Sequence, residues 1–474
     1  MARASCTYHA GTTHSSMPRG RLDRLHRFVR SEAGCNEPKP GPLTDTLPTA
    51  DSGWRSIAAG SAIFLLGYLV LLVGIDIPDH PYFDETHYVP AARQLLQTHF
   101  AVPTLNLEHP PLAKELMAAA IWLFGDNPFG WRTMSALFGA LALTGVYLCG
   151  LALFGDRRPA LWATAIAALN QMLFVQARIA MLDIYALALL LWGLAAFMAS
   201  FRSGAATRAL LGAAGLCLGL ATACKWSGVF GWGMCIAVVA AVLVLQRWRT
   251  RFDHPEPTDW YGPELWAEMR ARDWLLCLGV VPLVAYFAAW LPIYGFSPAA
   301  LLEAQRRIFQ DNATLVTPHP YMSAWPGWPL IVRPVWFLFE KTGEGSFSAV
   351  LSLGNPVVFW SAVPAVLVCL RDWIATRRRD AFLIVASYGA LYLGWMVLPR
   401  AIGFSFYYLP AATVASLALA YCFYRSEAKL WRWARWIFLT AAAACFLLFL
   451  PVSAASIGTS LSGYERLMWF ATWR

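Results

Sequence analysis

The sequence predicts an all-α polytopic membrane protein, and three observations carry that reading. Of 474 residues, 58% are hydrophobic and 14% charged, with a mean hydropathy of +0.49, whereas soluble domains carry about a quarter charged residues. The apolar residues fall in long continuous runs, which excludes an outer-membrane barrel of alternating strands about ten residues long. Basic residues crowd some of the connections between runs and thin out in others, as a fixed orientation in the bilayer requires. The same arithmetic excludes soluble enzymes, secreted disulfide scaffolds and disordered chains.

With about 20 residues as the length of a crossing, eleven runs qualify: 57–75, 133–154, 159–176, 180–201, 209–223, 226–246, 274–294, 355–370, 381–398, 404–424 and 436–455. Residues 1–55 carry eight Lys or Arg with scattered Gly, Pro and Ser, and no apolar core of signal-peptide length precedes Ile57. They are expected to form a disordered basic cytoplasmic tail, leaving 56–474 as a single transmembrane domain. A twelfth segment, 111–125, is short and contains Lys114 and Glu115, so it is expected to lie at the interface or re-enter.

Charge parity supports that choice. With the N-terminus cytoplasmic and 111–125 not crossing, 25 of the 37 Lys and Arg fall inside and 12 outside. If that segment crossed, the later connections would invert, placing 17 positives outside against 9 inside, contrary to the positive-inside rule. The expectation is therefore eleven crossings with the C-terminus extracytoplasmic. The net charge of +9 follows from this topology and does not imply nucleic acid. The ten cysteines include no CxxC pair and read as small core residues. No fixed-period repeat and no paired broken helices point to a secondary transporter.

Two outward loops are long, 76–132 and 296–354, and chemistry is expected there. In FDETHYVPAARQLL, Asp84 and Glu85 open an amphipathic helix whose apolar face is Tyr88, Ala91, Ala92, Leu95 and Leu96; such a pair is also ordinary at a helix start. HPPLAK, from His109 to Lys114, opens the short interfacial helix. Arg132 precedes the second run, Arg178 and Asp183 flank the entry to the fourth in ARIAMLD, Lys225 lies in CKWSG, and Arg400 lies between the ninth and tenth. Singly, each Lys or Arg reads as a snorkelling side chain. Together they fall at the outer ends of their helices, an acidic pair facing several cations. That composition suits transfer of a group from a phosphate-linked lipid, because cations hold the leaving phosphate and a carboxylate takes a proton from the incoming hydroxyl.

His80, His87, His99 and His109 share the first loop with Asp79, Asp84 and Glu85, but no paired-His or Cys motif supports a metal. The NAT triplet at Asn312 is too short a sequon to carry weight. Tyr321, Trp325, Trp328, Trp336 and Phe337 read as an interfacial aromatic belt, and LSLGNP as the end of an outer helix before the eighth crossing.

FDETHYVPAAR, HPPLAK, NPFGWR, ARIAMLD and CKWSGVF, followed by SAWPGWPL, LSLGNPVVFW and RAIGFSFYYLP, resemble in order the signatures of the protein O-mannosyltransferases, particularly the shorter actinobacterial type. The resemblance spans about residues 75–425. It implies a GT-C glycosyltransferase of eleven spans that moves mannose from a polyprenyl phosphate to Ser or Thr of a protein crossing the membrane, without a metal or other cofactor. By motif it implies that Asp84 is the catalytic base and Glu85 its partner. His109, Lys114, Arg132, Arg178, Asp183, Lys225 and Arg400 are then the donor-phosphate and substrate-binding set. It further implies a bacterial cytoplasmic membrane with the site facing outward and, by analogy, a secretion translocon as a partner. The chain has no room for an inserted outer MIR-type domain. Alternatives are a same-fold transferase to lipid A, another glycolipid or a polysaccharide, as in the aminoarabinose type, and a lipid-phosphate flippase. The flippase would need charges through the span centres, which are nearly free of them.

Overall fold

The computed structural model describes residues 50–98, 105–202, 204–252, 261–262, 265–314, 318–398 and 402–474; the basic tail lies outside them. Trp54–Arg474 form one unit, and within it each of the eleven apolar runs is largely helical, the run 159–176 in two pieces. In chain order the main helices are α1 (Ala50–Leu72), α2 (Glu85–Gln97), α3 (Leu112–Phe124), α4 (Pro128–Phe154), α5 (Arg157–Ala168), α6 (Gln171–Gln176), α7 (Asp183–Ala199), α8 (Thr207–Cys224), α9 (Val229–Phe252) and α10 (Ala271–Ala288). They continue with α11 (Pro298–Thr314), α12 (Pro356–Thr376), α13 (Arg379–Val397), α14 (Leu409–Phe423) and α15 (Lys429–Phe449). Among the described residues nine helices are long and apolar enough to cross a membrane, and the protein is a multi-pass membrane protein. The two remaining runs are the shorter α7 and the pair α5 and α6.

That pair departs from the single span expected over 159–176. The helix stops at Leu169, and the Asn170 side chain caps α6 by accepting from the Met172 N–H at 3.1 Å. Asn355 compensates across the fold: its amide donates to Leu169 O at 2.8 Å and to Ala442 O at 2.9 Å, while its own oxygen caps α12. A buried carbonyl freed by a break must find such a donor.

Small residues set the closest helix contacts. A Cβ on Gly215 would lie 1.9 Å from Cys277 O, and one on Gly219 would lie 2.3 Å from Pro282 O. This GxxxG pair lets α8 press against the backbone of α10, where Leu276–Val280 widens into a π turn.

The second outward loop holds the one strand pairing longer than a single bridge among the described residues, an antiparallel hairpin of β1 (Val335–Gly343) and β2 (Ser346–Ser352). A strand therefore precedes Asn355 and Pro356, where LSLGNP suggested a helix end. Several aromatic residues of this loop make interior contacts. Trp328 and Phe337 are buried, Phe337 stacks on Phe83 at 4.1 Å, and Trp336 donates to Trp473 O at 2.9 Å.

The basic connections gather at one end. Arg202 donates to Leu153 O at 2.5 Å, Arg379 to Phe201 O at 3.0 Å and Arg435 to Phe423 O at 2.9 Å. There Asp372 receives the Tyr421 hydroxyl at 2.9 Å and Arg425 at 3.0 Å. The motifs singled out for chemistry lie at the other ends of these helices.

Candidate active site

The segment between α6 and α7, ARIAMLD, is the hub of the site because three of its residues reach three different elements. The first is Arg178, whose guanidinium donates to Leu71 O and Val73 O at 2.7 Å and to Gly74 O at 3.0 Å, closing the end of α1, where helix carbonyls have no partners of their own. The second is Ala180, whose N–H donates to Glu85 Oε1 at 2.8 Å. The third is Asp183, which receives Lys225 Nζ at 2.8 and 2.9 Å.

Glu85 and Arg132 are both fully buried and form a two-pronged pair, Nε to Oε1 at 2.8 Å and Nη2 to Oε2 at 2.9 Å. Arg132 spends its other donors on Ile75 O, Pro78 O and His80 O. Glu85 also receives the N–H groups of Ala180 and Tyr82. All five donors of the guanidinium and the four acceptor sites of the carboxylate are thereby used. The pair is a finished clamp between the loop before α2 and the start of α4.

Asp84, its neighbour in sequence, has another environment. It stands at the start of α2 partly exposed, makes no side-chain cap bond, and accepts from the His87 and Tyr88 N–H groups through its carbonyl. Phe83 before it has φ +49°, a left-handed conformation unfavourable for a bulky residue. Phe83 is held there by Phe337 and by Phe406, whose ring centroid lies 6.1 Å away.

Lys225 is 5% exposed and links α8 to α7 through Asp183. Its ammonium lies 4.8 Å from the Tyr407 ring and 5.7 Å from that of Phe406, so Phe406 neighbours both Lys225 and Phe83. Lys225 also lines a cavity of about 260 Å³ together with Glu108, His109, Thr222, Trp226, Ser227, Phe309, Asn312, Trp395 and Leu398. The lining mixes polar residues with apolar ones, of which Val229 and Leu398 are exposed at helix ends. Asp84 is not among the lining residues.

Lys114 is buried and holds the loop before α3, donating to Asn106 O at 2.5 Å, to Asn106 Oδ1 at 3.3 Å and to His109 O at 3.0 Å. Burial lowers its pKa to about 8, against the pull of Glu108 and Glu115. Burial raises the Glu115 carboxyl to about 7, opposed by Lys114, and Glu115 Oε1 is buried without a hydrogen-bond partner.

The structure thus joins Glu85 to Arg132 and Asp183 to Lys225, puts His109 and Lys225 in one cavity, and commits Arg132, Arg178 and Lys114 to the backbone. Arg400 and His99 lie outside the described residues. Among the described residues no three His, Cys, Asp or Glu side chains converge as a metal would need; His80 lies 3.2 Å from both Asp79 and Glu340. Sequence reasoning missed Glu108, Thr222, Trp226, Ser227, Asn312 and Trp395 as cavity residues. Glu108 adjoins HPPLAK and Trp226 and Ser227 follow Lys225, so closeness to the motifs was the available signal; Asn312 and Trp395 had none.

A family model described as dolichyl-phosphate-mannose-protein mannosyltransferase matches residues 124–292, and one described as the C-terminal four TMM region of protein-O-mannosyltransferase matches 298–473. The chain is 26% identical over 436 residues to the polyprenol-phosphate-mannose–protein mannosyltransferase of Mycolicibacterium smegmatis, covering 77% of this chain and 80% of that one. It is 25% identical over 481 residues to the protein of the same name from Corynebacterium glutamicum, covering 83% and 88%. In fold it is similar to a chain of the S. cerevisiae protein O-mannosyltransferase Pmt1-Pmt2 complex bound to the sugar donor, with TM-score 0.73, 14% identity and coverage of 91% and 93%. It is also similar to ArnT of Cupriavidus metallidurans bound to undecaprenyl phosphate, with TM-score 0.57, 20% identity and coverage of 85% and 66%.

Proposed function

The chain belongs to the protein O-mannosyltransferase family, and from that premise we propose that it transfers mannose from a polyprenyl phosphate to Ser or Thr hydroxyls of protein emerging across the membrane. The observation that carries this reading is the cavity beside Lys225, whose lining combines a buried cation and hydroxyls with exposed apolar residues at helix ends. A prenyl chain fits the apolar lining at Val229 and Leu398. The phosphate fits beside Lys225 and His109, and its departing charge needs a cation but no proton.

In an inverting displacement the acceptor oxygen attacks C1 of the sugar as the C1–O bond to phosphate breaks, and a carboxylate removes the hydroxyl proton. Asp84 takes that role because it is partly exposed while Glu85 is saturated. Glu85 then acts as a positioning residue: locked to Arg132 and Ala180, it fixes the start of α2. Arg132, Arg178 and Lys114 act as scaffold cations, and Arg400 remains in the proposed donor set on motif alone. This displacement uses no metal. Topology follows the charge parity: eleven crossings, the N-terminal tail cytoplasmic, 56–474 one transmembrane domain, and the site facing out of a bacterial cytoplasmic membrane, where a secretion translocon delivers the acceptor.

The test is an assay in nanodiscs with labelled polyprenyl phosphate mannose and a Ser/Thr-rich peptide, with and without EDTA. Peptide labelling unaffected by EDTA is the expected result; donor binding without peptide labelling would redirect the reading to another acceptor or sugar, and no donor binding would end it.

A further inference from the structure

Three lining residues of the cavity share a chemistry that the phosphate does not need. Glu108 is exposed into it and, when ionised, only accepts hydrogen bonds. Asn312 donates its amide hydrogens to Glu108 O and Ile308 O, both at 2.9 Å, leaving its oxygen as an acceptor. Thr222 donates its hydroxyl hydrogen to Leu218 O at 2.8 Å and likewise keeps lone pairs. These three therefore offer acceptors to a ligand, while Lys225 of the same cavity is ion-paired with Asp183. An anion is disfavoured beside Glu108; a group rich in hydroxyl donors is suited to the acceptors. A lipid phosphate bearing a neutral sugar has both parts in one molecule.

The position of Glu108 is itself built. Asn312 lies on α11, in the second outward loop, and bonds the Glu108 backbone in the first. Four residues down, Ile308 is buried in a cluster with Ala223, Tyr286, Ala289 and Trp290, and Gln305 receives the Tyr286 hydroxyl, which in turn accepts from Trp226 Nε1 at 2.9 Å. So α11 is fastened on both sides of Ile308, and its docking decides where Glu108 stands.

We propose that Glu108 is a specificity-determining residue of the donor cavity, accepting hydrogen bonds from hydroxyls of a neutral hexosyl group, and that Asn312 is its positioning residue. This rests on the lipid-phosphate-sugar reading of the cavity given above. It requires discrimination between epimeric hexoses to depend on Glu108, while affinity for the sugarless lipid does not.

The experiment uses the full chain in nanodiscs, as wild type, Glu108→Gln, Glu108→Asp and Asn312→Ala, each checked by thermal unfolding. The probes are polyprenyl phosphate, polyprenyl phosphate mannose and polyprenyl phosphate glucose. Expected for Glu108→Gln is polyprenyl phosphate binding within about twofold of wild type, with mannosyl-lipid affinity and the preference over glucose both reduced roughly 10- to 100-fold, the scale of one charge-assisted hydrogen bond. Glu108→Asp should recover part of the preference, and Asn312→Ala should raise KM for the mannosyl lipid more than it lowers kcat. An unchanged preference, or an equal loss for all three lipids, overturns the proposal. If wild type labels no peptide yet binds mannosyl lipid more tightly than bare lipid, and Glu108→Gln erases that margin, the transfer reading fails and the sugar contact stands. If wild type does not distinguish the two lipids, the sugar contact fails.

Discussion

Glu85 and Arg132, 47 positions apart in the chain, meet in a fully buried pair in which every donor and acceptor is used. Adjacent Asp84 makes no side-chain cap bond at the same helix start. Two carboxylates adjacent in the sequence thereby have different environments, Glu85 fully buried and saturated and Asp84 partly exposed.

The clamp should therefore fail as structure. Arg132→Ala leaves a buried carboxylate uncompensated and is expected to destabilise the protein by about 3–5 kcal/mol; Arg132→Lys should recover little, because an ammonium cannot replace the planar fork. Thermal unfolding in detergent measures this. The protein that remains folded should bind polyprenyl phosphate as wild type does, and a selective loss of that affinity would return Arg132 to the donor site.

Asp84→Asn should do the opposite. Melting temperature and donor binding should stay near wild type while peptide labelling falls by roughly 10² or more, the scale of a general base. Comparable turnover in the Asn variant would remove Asp84 from that role.

Glu115 gives a pH signature. Its carboxyl is raised from an ordinary 4.5 to about 7 by burial, so between those values the folded state holds a proton that the unfolded state has lost. Stability should be fully present below about pH 4.5 and decline as pH rises through 7. Lys114, lowered to about 8, has the opposite sign and acts between about 8 and 10.5, so the lower window reports Glu115. Melting temperature between pH 5 and 7.5 should fall less steeply in Glu115→Gln than in wild type, and an equal slope would show that Glu115 is not the group responsible.

Gly215→Val tests the contact of α8 with α10. A Cβ at 1.9 Å from a backbone oxygen cannot be relieved by a rotamer change, so the helices must separate. The loss expected is at least the roughly 1–3 kcal/mol of ordinary overpacking, read as melting temperature, whereas Gly212→Ala, with open space around it, should be neutral.

Much of this architecture was legible along the chain because bilayer solvation acts on contiguous residues: a run long enough to cross must be apolar and helical. The starts of α2 and α3 were legible for a similar local reason, in the acidic pair and in HPP. The break at Leu169 was not, because its partner Asn355 lies 186 residues away. Nor was the hairpin over 335–352: its aromatic residues have the composition of a membrane belt, and the stacking of Phe337 on Phe83 joins two loops far apart in the chain.

The sequence by itself determined a multi-pass helical protein, the gathering of its motifs at one end of the bundle, and the family to which that order of motifs belongs, because hydropathy and short-range spacing are properties of neighbours in the chain. Only the tertiary structure decided which partner each charge takes. Arg132, Arg178, Lys114 and Lys225 are each held by a carboxylate or by carbonyls, because the low dielectric that makes a buried cation expensive drives it onto the nearest acceptor. Those partners come from other helices, and their positions exist only once the chain has folded.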